Sequence, residues 1–172
     1  MVTIEAITPR ETAAFKATRL RALQDAPTAF GSTYANESQL SDSDWVDKAT
    51  QWSGDRSVGY LAIEDGQACG IAGCFLHRDD PSRAVLISMW VAPSYRGRGV
   101  GDQLVDSIIG WANSRRATKL LLMVTSNSRR AIRFYERLGF ALTGHTIPYP
   151  NDSALMELEM ARPISDGGQI PC

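Results

Sequence analysis

Residues 95–104, YRGRGVGDQL, combine three glycines with two arginines directly before a stretch with periodic apolar residues. Glycines let the oxygen atoms of a ligand approach the backbone, because no Cβ stands in the way. At the start of a helix, backbone N–H groups without an intrahelical partner point outward and carry the positive end of the helix dipole. The stretch therefore predicts either a site for a pyrophosphate-like anion or a plain glycine-rich turn between a strand and a helix.

Two common phosphate-binding motifs do not fit this stretch. A P-loop needs Lys followed by Ser or Thr after its last glycine, and neither pair follows here. A dinucleotide fingerprint needs G-x-G-x-x-G, but its sixth position holds Asp102 when counted from Gly97 and Leu104 when counted from Gly99. The pattern that remains starts at the arginine and reads Arg96-x-x-Gly99-x-Gly101.

The neighbouring segments predict a strand before the loop and an amphipathic helix after it. Residues 83–93 contain six apolar residues in the seven from 85 to 91, which predicts a strand covered on both faces. Apolar residues then recur at helical spacing and predict a helix from about 99 to 115. Another buried strand is expected at 119–124, so the unit should be a right-handed crossover between parallel strands.

The N-terminal half predicts a strand, two helices and a hairpin. Residues 2–8 alternate apolar and polar side chains, and a helix that ends near Asp25 should follow this strand. A second helix is expected at 41–52, with a serine as its cap. The pair Asp65-Gly66 separates two apolar runs, which is a strong signal for a β-hairpin.

The C-terminal half completes one α/β domain. Residues 127–140, NSRRAIRFYERLGF, predict a helix that stops at Gly139, and two antiparallel strands should follow. The expected fold is a mixed central sheet of about six or seven strands with about four helices on its two faces. We expect a single domain over residues 1–162 and a flexible tail over 163–172, which has little to bury.

Composition and charge exclude several classes of function. The 18 basic and 19 acidic residues give a net charge of −1, which does not favour a nucleic-acid partner. The three cysteines and two histidines match no zinc spacing, so no metal is expected. We see neither a signal peptide nor an apolar run of the about 20 residues that a membrane span needs. These features predict a cytoplasmic protein that binds neither nucleic acid nor membrane.

Two segments together resemble a known family. Residues 90–112, WVAPSYRGRGVGDQLVDSIIGWA, are similar to the acetyl-CoA-binding motif of the GCN5-related N-acetyltransferase (GNAT) superfamily, whose core is [Q/R]-x-x-G-x-[G/A]. Residues 127–140 resemble the second signature of the family, with Asn, Ala, Tyr and Gly-Phe at the expected spacings. The resemblance covers about residues 2–162 and implies a sheet whose strands splay apart at the acetyl-CoA site.

The resemblance also implies how coenzyme A is held. Backbone N–H groups of the glycine loop would bind its pyrophosphate, and the end of the preceding strand would pair with its pantetheine arm like an added strand. The arginines at 129, 130 and 133 are either contacts of its 3′-phosphate or solvated helix charges. The implied cofactor-binding residues are Trp90, Val91, Arg96, Gly97, Arg98, Gly99, Val100, Gly101, Asn127, Ala131 and Phe134. Trp90 is equally typical of a core side chain, and Asn127 of a helix cap.

Tyr135 matches the tyrosine that often serves as general acid in the family, where its phenol protonates or hydrogen-bonds the departing thiolate. An alkylammonium must also lose a proton before its nitrogen attacks the thioester. Many family members have a carboxylate on the strand before the loop, but this strand has none, and Ser88 is predicted to order a water that relays the proton. Glu37, Glu157 and Glu159 are weaker candidates for the base.

The resemblance predicts an acetyl-CoA-dependent N-acetyltransferase that uses a ternary complex and acetylates a primary amine of a small molecule. Phe30, Tyr34 and Tyr149 are the weakly predicted acceptor contacts, with Trp45 and His145 also able to shape that pocket. Few acids lie among these segments, which does not favour a polyamine. Two alternatives stay open: a protein N-terminus or lysine as the acceptor, and a domain that binds acyl-CoA without turnover. A homodimer is possible because many relatives form one.

Overall fold

The computed structural model describes residues 1–164 and contains one seven-stranded sheet in the order β1-β2-β3-β4-β5-β7-β6. The strands are β1 (Thr3–Ala6), β2 (Ser57–Glu64), β3 (Gln67–Leu76), β4 (Arg83–Val91), β5 (Lys119–Thr125), β6 (Ala141–Pro148) and β7 (Met156–Pro163). The helices are α1 (Thr12–Asp25), α2 (Tyr34–Glu37), α3 (Asp42–Gln51), α4 (Val100–Ser114) and α5 (Arg129–Arg137). The sheet is mixed, as the sequence predicts.

Strand directions follow from the connections along the chain. β1 to β4 pair as antiparallel neighbours, and the β2–β3 turn lies at Asp65-Gly66 as the hairpin signal predicts. β4 and β5 are parallel and are joined through α4, which confirms the strand–helix–strand unit. β7 lies between β5 and β6 and is antiparallel to both.

Apolar side chains cover the sheet on both faces and form two clusters. One cluster packs α4 and Tyr135 of α5 against strands such as β3 and β5, with Leu104, Ile108 and Leu120 fully buried. The other cluster packs α1 and α3 against the opposite face through Phe15 and Trp45. Burial of apolar area on each face is the main force that holds the helices in place.

Local signals explain where the first helices begin. Thr8 and Glu11 form a reciprocal capping box, which starts a short 3-10 turn that leads into α1. Ser41 and Asp44 form the same device at the start of α3. The single-turn helix α2 was not predicted, although Thr33 caps it by accepting a hydrogen bond from the N–H of Asn36.

The end of the domain lies slightly beyond the predicted boundary. Pro163 is the last residue of β7, and Ile164 is buried with its N–H bonded to the carbonyl of Thr118. The packed part of the chain therefore includes the first two residues of the predicted tail. The rest of that tail, 165–172, lies outside the described residues. Among the helices of residues 1–164, none is long and apolar enough to cross a membrane.

Candidate active site

A gap opens in the sheet where β4 and β5 stop pairing. Their parallel ladder runs from Arg83 opposite Lys119 to Leu86 opposite Leu122 and ends there. Beyond this point a cavity of about 80 Å³ lies between the two strands. The predicted splay is therefore present, and it leaves backbone groups on the inner edge of each strand free to meet a ligand.

A β-bulge at Ser88 contributes to this divergence. Ile71 of β3 pairs with Trp90 and Gly73 pairs with Ile87, so β4 has one more residue than β3 between these pairs. Ser88 has a φ of 57°, which is uncommon for a residue with a side chain. Extra residues of this kind bend a strand and redirect a side chain, and here the redirected hydroxyl lines the small cavity.

The glycine loop presents backbone donors at the start of α4. Gly97 and Gly99 have φ values of 75° and 81°, a region that only glycine enters readily. Within residues 1–164, no acceptor pairs with the N–H groups of residues 97–102. These free donors lie at the positive end of the helix dipole and can form a cradle for an anion.

Gly101 has a packing role that the other loop glycines lack. A Cβ at this position would lie 2.9 Å from the ring of Phe134, which is too close. The glycine thus lets α4 approach α5, and the two helices form opposite walls of one cleft.

The cleft has a volume of about 620 Å³ and runs from the glycine loop to the gap between β4 and β5. Its lining residues are Ala26, Ala29, Met89, Trp90, Val91, Tyr95, Arg96, Gly97, Gly99, Gly101, Asp102, Ser128, Arg130, Ala131, Phe134, Tyr135 and Arg137. Most of the predicted cofactor contacts are among them. The exceptions are Arg98, Val100, which is buried in the core, and Asn127.

Asn127 does not enter the cleft. It lies exposed in the turn after β5, and the next residue, Ser128, lines both the cleft and the small cavity. Asn127 is not the cap of α5 either, because Ser128 occupies that position without a side-chain cap bond. A turn of this tightness shifts the inward-facing position by one residue, which the sequence pattern alone does not reveal.

The two loop arginines are held by acids rather than left free for a ligand. The Arg96 guanidinium contacts the carboxylate of Asp25, and its Nε donates to the carbonyl of Val91 at 2.9 Å. Arg98 lies 3.2 Å from the Glu64 carboxylate and stacks on the ring of Tyr95. These acidic partners compensate the two positive charges, so the backbone donors dominate the cradle.

Asp25 ties the end of α1 to the cofactor strand. Besides Arg96, it accepts a hydrogen bond of 2.9 Å from the indole N–H of Trp90. Burial alone would raise the pKa of Asp25, but the hydrogen bonds from Trp90 and Arg96 outweigh it and hold the pKa below its usual value. Trp90 is therefore a buried core residue that also lines the cleft. No sequence motif pointed to this contact.

Tyr135 lies where the cleft meets the small cavity and lines both. Its ring packs edge-on against Phe134 and Phe140, with centroid distances of 5.1 and 5.6 Å. Burial raises the pKa of the phenol well above its ordinary value, because the charged phenolate would be poorly solvated there. The group therefore stays protonated and is able to act as a hydrogen-bond donor.

A buried ion pair lies behind Ser88, on the face of the sheet that packs against α1. Arg19 makes a two-pronged contact with Glu37, at 3.0 and 2.8 Å, and donates a third hydrogen bond of 2.9 Å to the Ser88 hydroxyl. Burial would raise the pKa of Glu37, but the hydrogen bonds and charge of Arg19 more than offset this and lower it. Both carboxylate oxygens of Glu37 accept hydrogen bonds from Arg19, so Glu37 is a poor base. Sequence reasoning missed Arg19, since the partners are distant in sequence.

The predicted acceptor residues take different roles. Phe30 is buried beneath the Arg19 guanidinium, at 4.8 Å from its ring centre. Tyr149 is also buried, and its hydroxyl donates to the carbonyl of Phe30 at 2.6 Å. These two residues therefore belong to the buried cluster around Arg19, while Tyr34 is exposed. Trp45 is a fully buried core residue and therefore cannot touch an acceptor.

Comparison with protein families identifies the class of the chain. The model described as "Acetyltransferase (GNAT) family" matches residues 20–140, so the chain belongs to this family. Among solved structures, the GCN5-related N-acetyltransferase from Kribbella flavida is 26% identical, with a TM-score of 0.70 over 94% of this chain and 97% of that one. The protein yncA from Salmonella typhimurium, solved with its cofactor acetyl-CoA, is 16% identical and shares the fold, with a TM-score of 0.79 over 100% and 99% of the two chains.

Curated relatives are similar to this chain over only part of their own length. Aminoglycoside N(6′)-acetyltransferase type 1 from Salmonella typhimurium is 27% identical over 101 residues, which is 55% of this chain and 70% of that protein. The chain spans about half the length of two N-acetyltransferases of Rattus norvegicus, at 48% and 49%. These comparisons and the seven-stranded sheet confirm the predicted family and fold class.

Proposed function

We propose that the protein transfers the acetyl group of acetyl-CoA to a primary amine of a small molecule, by direct attack in a ternary complex. The observation that carries this proposal is one continuous cleft with free backbone donors at one end and the gap between β4 and β5 at the other. A pyrophosphate at the donors and a thioester at the gap would fit its two ends. Membership of the GNAT family supports the same chemistry.

The residues that line the cleft have the chemical properties that binding of coenzyme A requires. Positive-φ glycines leave open space above the donors, since a Cβ at Gly97 or Gly99 would meet no other atom within 4 Å. The unpaired inner edge of β4 offers backbone groups to the amides of the pantetheine arm. The apolar side of the cleft, with Ala131 and Phe134 of α5, suits the methylene groups of that arm.

Tyr135 is proposed to assist the leaving thiolate. Acetyl-CoA supplies an activated thioester, and negative charge develops on sulfur as the carbon–sulfur bond breaks. A phenol that remains protonated donates a hydrogen bond to that sulfur without first having to gain a proton. Ser88, whose hydroxyl is fixed by Arg19, lines the same gap and is proposed to order a water beside the amine.

The amine class is proposed from the acceptor wall and from the relatives. Phe30 and Tyr149 close this side with buried aromatic groups, which favours a small acceptor over a long peptide. One relative is named as an aminoglycoside acetyltransferase, so aminoglycosides belong among the first compounds to test. A peptide N-terminus or lysine as acceptor would be an outcome of the same experiment.

The experiment is a thiol-release assay with acetyl-CoA and a panel of amino acids, polyamines, aminoglycosides and short peptides. We expect thiol release with at least one small primary amine and a matching acetylated product by mass spectrometry. Reaction with peptides alone would replace the small-molecule acceptor by a protein. Tight binding of acetyl-CoA without release by any amine would contradict the enzymatic function and indicate a binding module.

A further inference from the structure

Thr125 carries a buried hydroxyl that lacks a partner at the end of β5. The residue is 4% exposed, and its Oγ1 makes no hydrogen bond to any atom of residues 1–164. Buried hydroxyls without a partner are rare, because the lost hydrogen bond to water is not replaced. The side chain lines the cavity of about 80 Å³ between β4 and β5, on the wall opposite Ser88. Its hydroxyl therefore has an unmet capacity for a hydrogen bond beside the gap.

Glu157 lies directly across the strand pair from Thr125. The two residues are partners in the antiparallel ladder of β5 and β7, and such partners have their side chains on the same face, with Cβ atoms about 5 Å apart. Glu157 is half-buried, and within the described part of the chain its carboxylate forms no salt bridge or hydrogen bond. Burial raises the pKa of its carboxyl, which makes it a better proton acceptor.

The other two candidate bases are already engaged. Glu37 is held by Arg19 on both of its oxygens. Glu159 lies two residues further along β7 and accepts a hydrogen bond of 2.8 Å from the Thr143 hydroxyl. Among the three carboxylates, Glu157 is thus the one whose oxygens are free and whose ladder partner opens into the reaction gap.

We propose that Glu157 accepts the proton of the incoming ammonium through the Thr125 hydroxyl, a role that rests on the proposed acetyl transfer. Once the Glu157 side chain turns toward its ladder partner, the ammonium gives one proton to the Thr125 oxygen as the hydroxyl proton passes to the Glu157 carboxylate, which leaves a neutral amine. The amine nitrogen then bonds to the thioester carbon, the carbon–sulfur bond breaks, and the second N–H proton goes to the thiolate. The products are the amide, free coenzyme A thiol and a protonated Glu157, which returns its proton to water.

The test uses two acceptor probes of nearly the same shape. Ethylamine is protonated at neutral pH, whereas 2,2,2-trifluoroethylamine is neutral and needs no base. With ethylamine at high concentration, Glu157→Gln should lower the rate of thiol release by about 100-fold, the low end for a lost general base. With trifluoroethylamine the same variant should retain the wild-type rate. Glu159→Gln, two residues away on the same face, is the matched control and should retain both rates.

Thr125 is tested by a pair of substitutions. Thr125→Val keeps the shape but removes the hydroxyl, so it should lower the rate with ethylamine about 10-fold and spare trifluoroethylamine. Thr125→Ser should restore the rate, and calorimetry should show unchanged affinity for coenzyme A in every variant. Equal losses with both amines, or no loss at all, would overturn the proton path alone. A wild-type protein that binds acetyl-CoA but acetylates neither these probes nor any amine of the panel would contradict the proposed function itself.

Discussion

The cofactor side and the proposed acceptor side of this protein are built in different ways. The cofactor cleft depends on backbone groups of one continuous segment, residues 97–102, with glycines that leave space for a ligand. The acceptor side depends on side chains that meet from distant parts of the chain, such as Arg19 with Glu37 and Ser88. Backbone chemistry of this kind suits a constant ligand, whereas side-chain walls are easily exchanged to suit different acceptors.

The largest expected effect is the loss of stability when the buried ion pair of Arg19 and Glu37 is broken. Arg19→Met leaves Glu37 charged and without its partner, which should lower the free energy of unfolding by about 3–5 kcal/mol. Asp102→Asn breaks a two-pronged contact with Arg137 instead, but that pair is exposed, so its loss should lower the free energy of unfolding far less. Urea denaturation of both variants measures the difference. Equal losses would show that burial does not distinguish the two pairs.

The same ion pair predicts a dependence of stability on pH. The pKa of Glu37 is lower in the folded than in the unfolded protein, so its contribution is fully present above the unfolded value of about 4.3. That contribution is lost as the pH falls through the folded pKa. Wild type should therefore lose more stability than Glu37→Gln between pH 5 and the acid limit of folding, as measured by thermal unfolding. Parallel curves for the two proteins would contradict this assignment.

A substitution at a single glycine of the loop should weaken the binding of coenzyme A. Gly99→Val forces a branched side chain into a positive-φ position above the free donors, and losing two hydrogen bonds to a charged ligand costs about 3 kcal/mol, or at least about 100-fold in affinity for coenzyme A. Gly66→Val is the matched control, since Gly66 has a φ of 75° in the β2–β3 turn and open space around it. Calorimetry should show that this control binds coenzyme A normally. Equal weakening in both would mean that strain, not the site, is responsible.

A smaller effect is expected where the two sides meet. Tyr135→Phe keeps the aromatic packing but removes the donor to the leaving sulfur, and a hydrogen bond to a charged atom is worth about 1.5–3 kcal/mol. We therefore expect kcat to fall about 10- to 100-fold with little change in KM for acetyl-CoA. Steady-state kinetics on the best amine of the panel checks this. An unchanged kcat would remove Tyr135 from the reaction.

The smallest effect is expected at Tyr149, on the proposed acceptor side. Tyr149→Phe removes the hydroxyl that anchors the β6–β7 segment to the carbonyl groups of Pro27 and Phe30, which should cost about 1 kcal/mol of stability. The affinity for coenzyme A should be unaffected, while KM for the amine should rise because this wall loosens. Measuring both the affinity for coenzyme A and KM for the amine on this variant checks that only KM changes. A loss of coenzyme A affinity would show that the two sides are coupled.

This contrast also explains how far the sequence alone could reach. The Asp65-Gly66 hairpin and the glycine-rich turn from Arg96 to Gly101 before α4 are local patterns, and each predicts its structure correctly. The position of Asn127 was not predictable, since a tight turn decides which of two adjacent side chains enters the cleft. Long-range contacts left no local signal.

Arg19 and Glu157 show a second limit of prediction from the sequence alone. Each lies in a segment that reads as an ordinary helix or strand, and their importance follows only from what the fold places opposite them. Glu37 looked equally suitable as a base until its guanidinium partner was visible. Sequence patterns therefore identify the chemistry of the donor side, while the assignment of acids and bases requires the packing.

The central claim is that the backbone donors at the start of α4 hold coenzyme A. Titration of ¹⁵N-labelled protein with acetyl-CoA, followed by ¹H–¹⁵N correlation spectra, tests it most directly. We predict that the amide signals of residues 97–102 show the largest downfield shifts, because each N–H gains an anionic acceptor, while those of Gly66 and Gly144 stay in place. Largest shifts elsewhere, with the amides of 97–102 unmoved at saturation, would contradict the account.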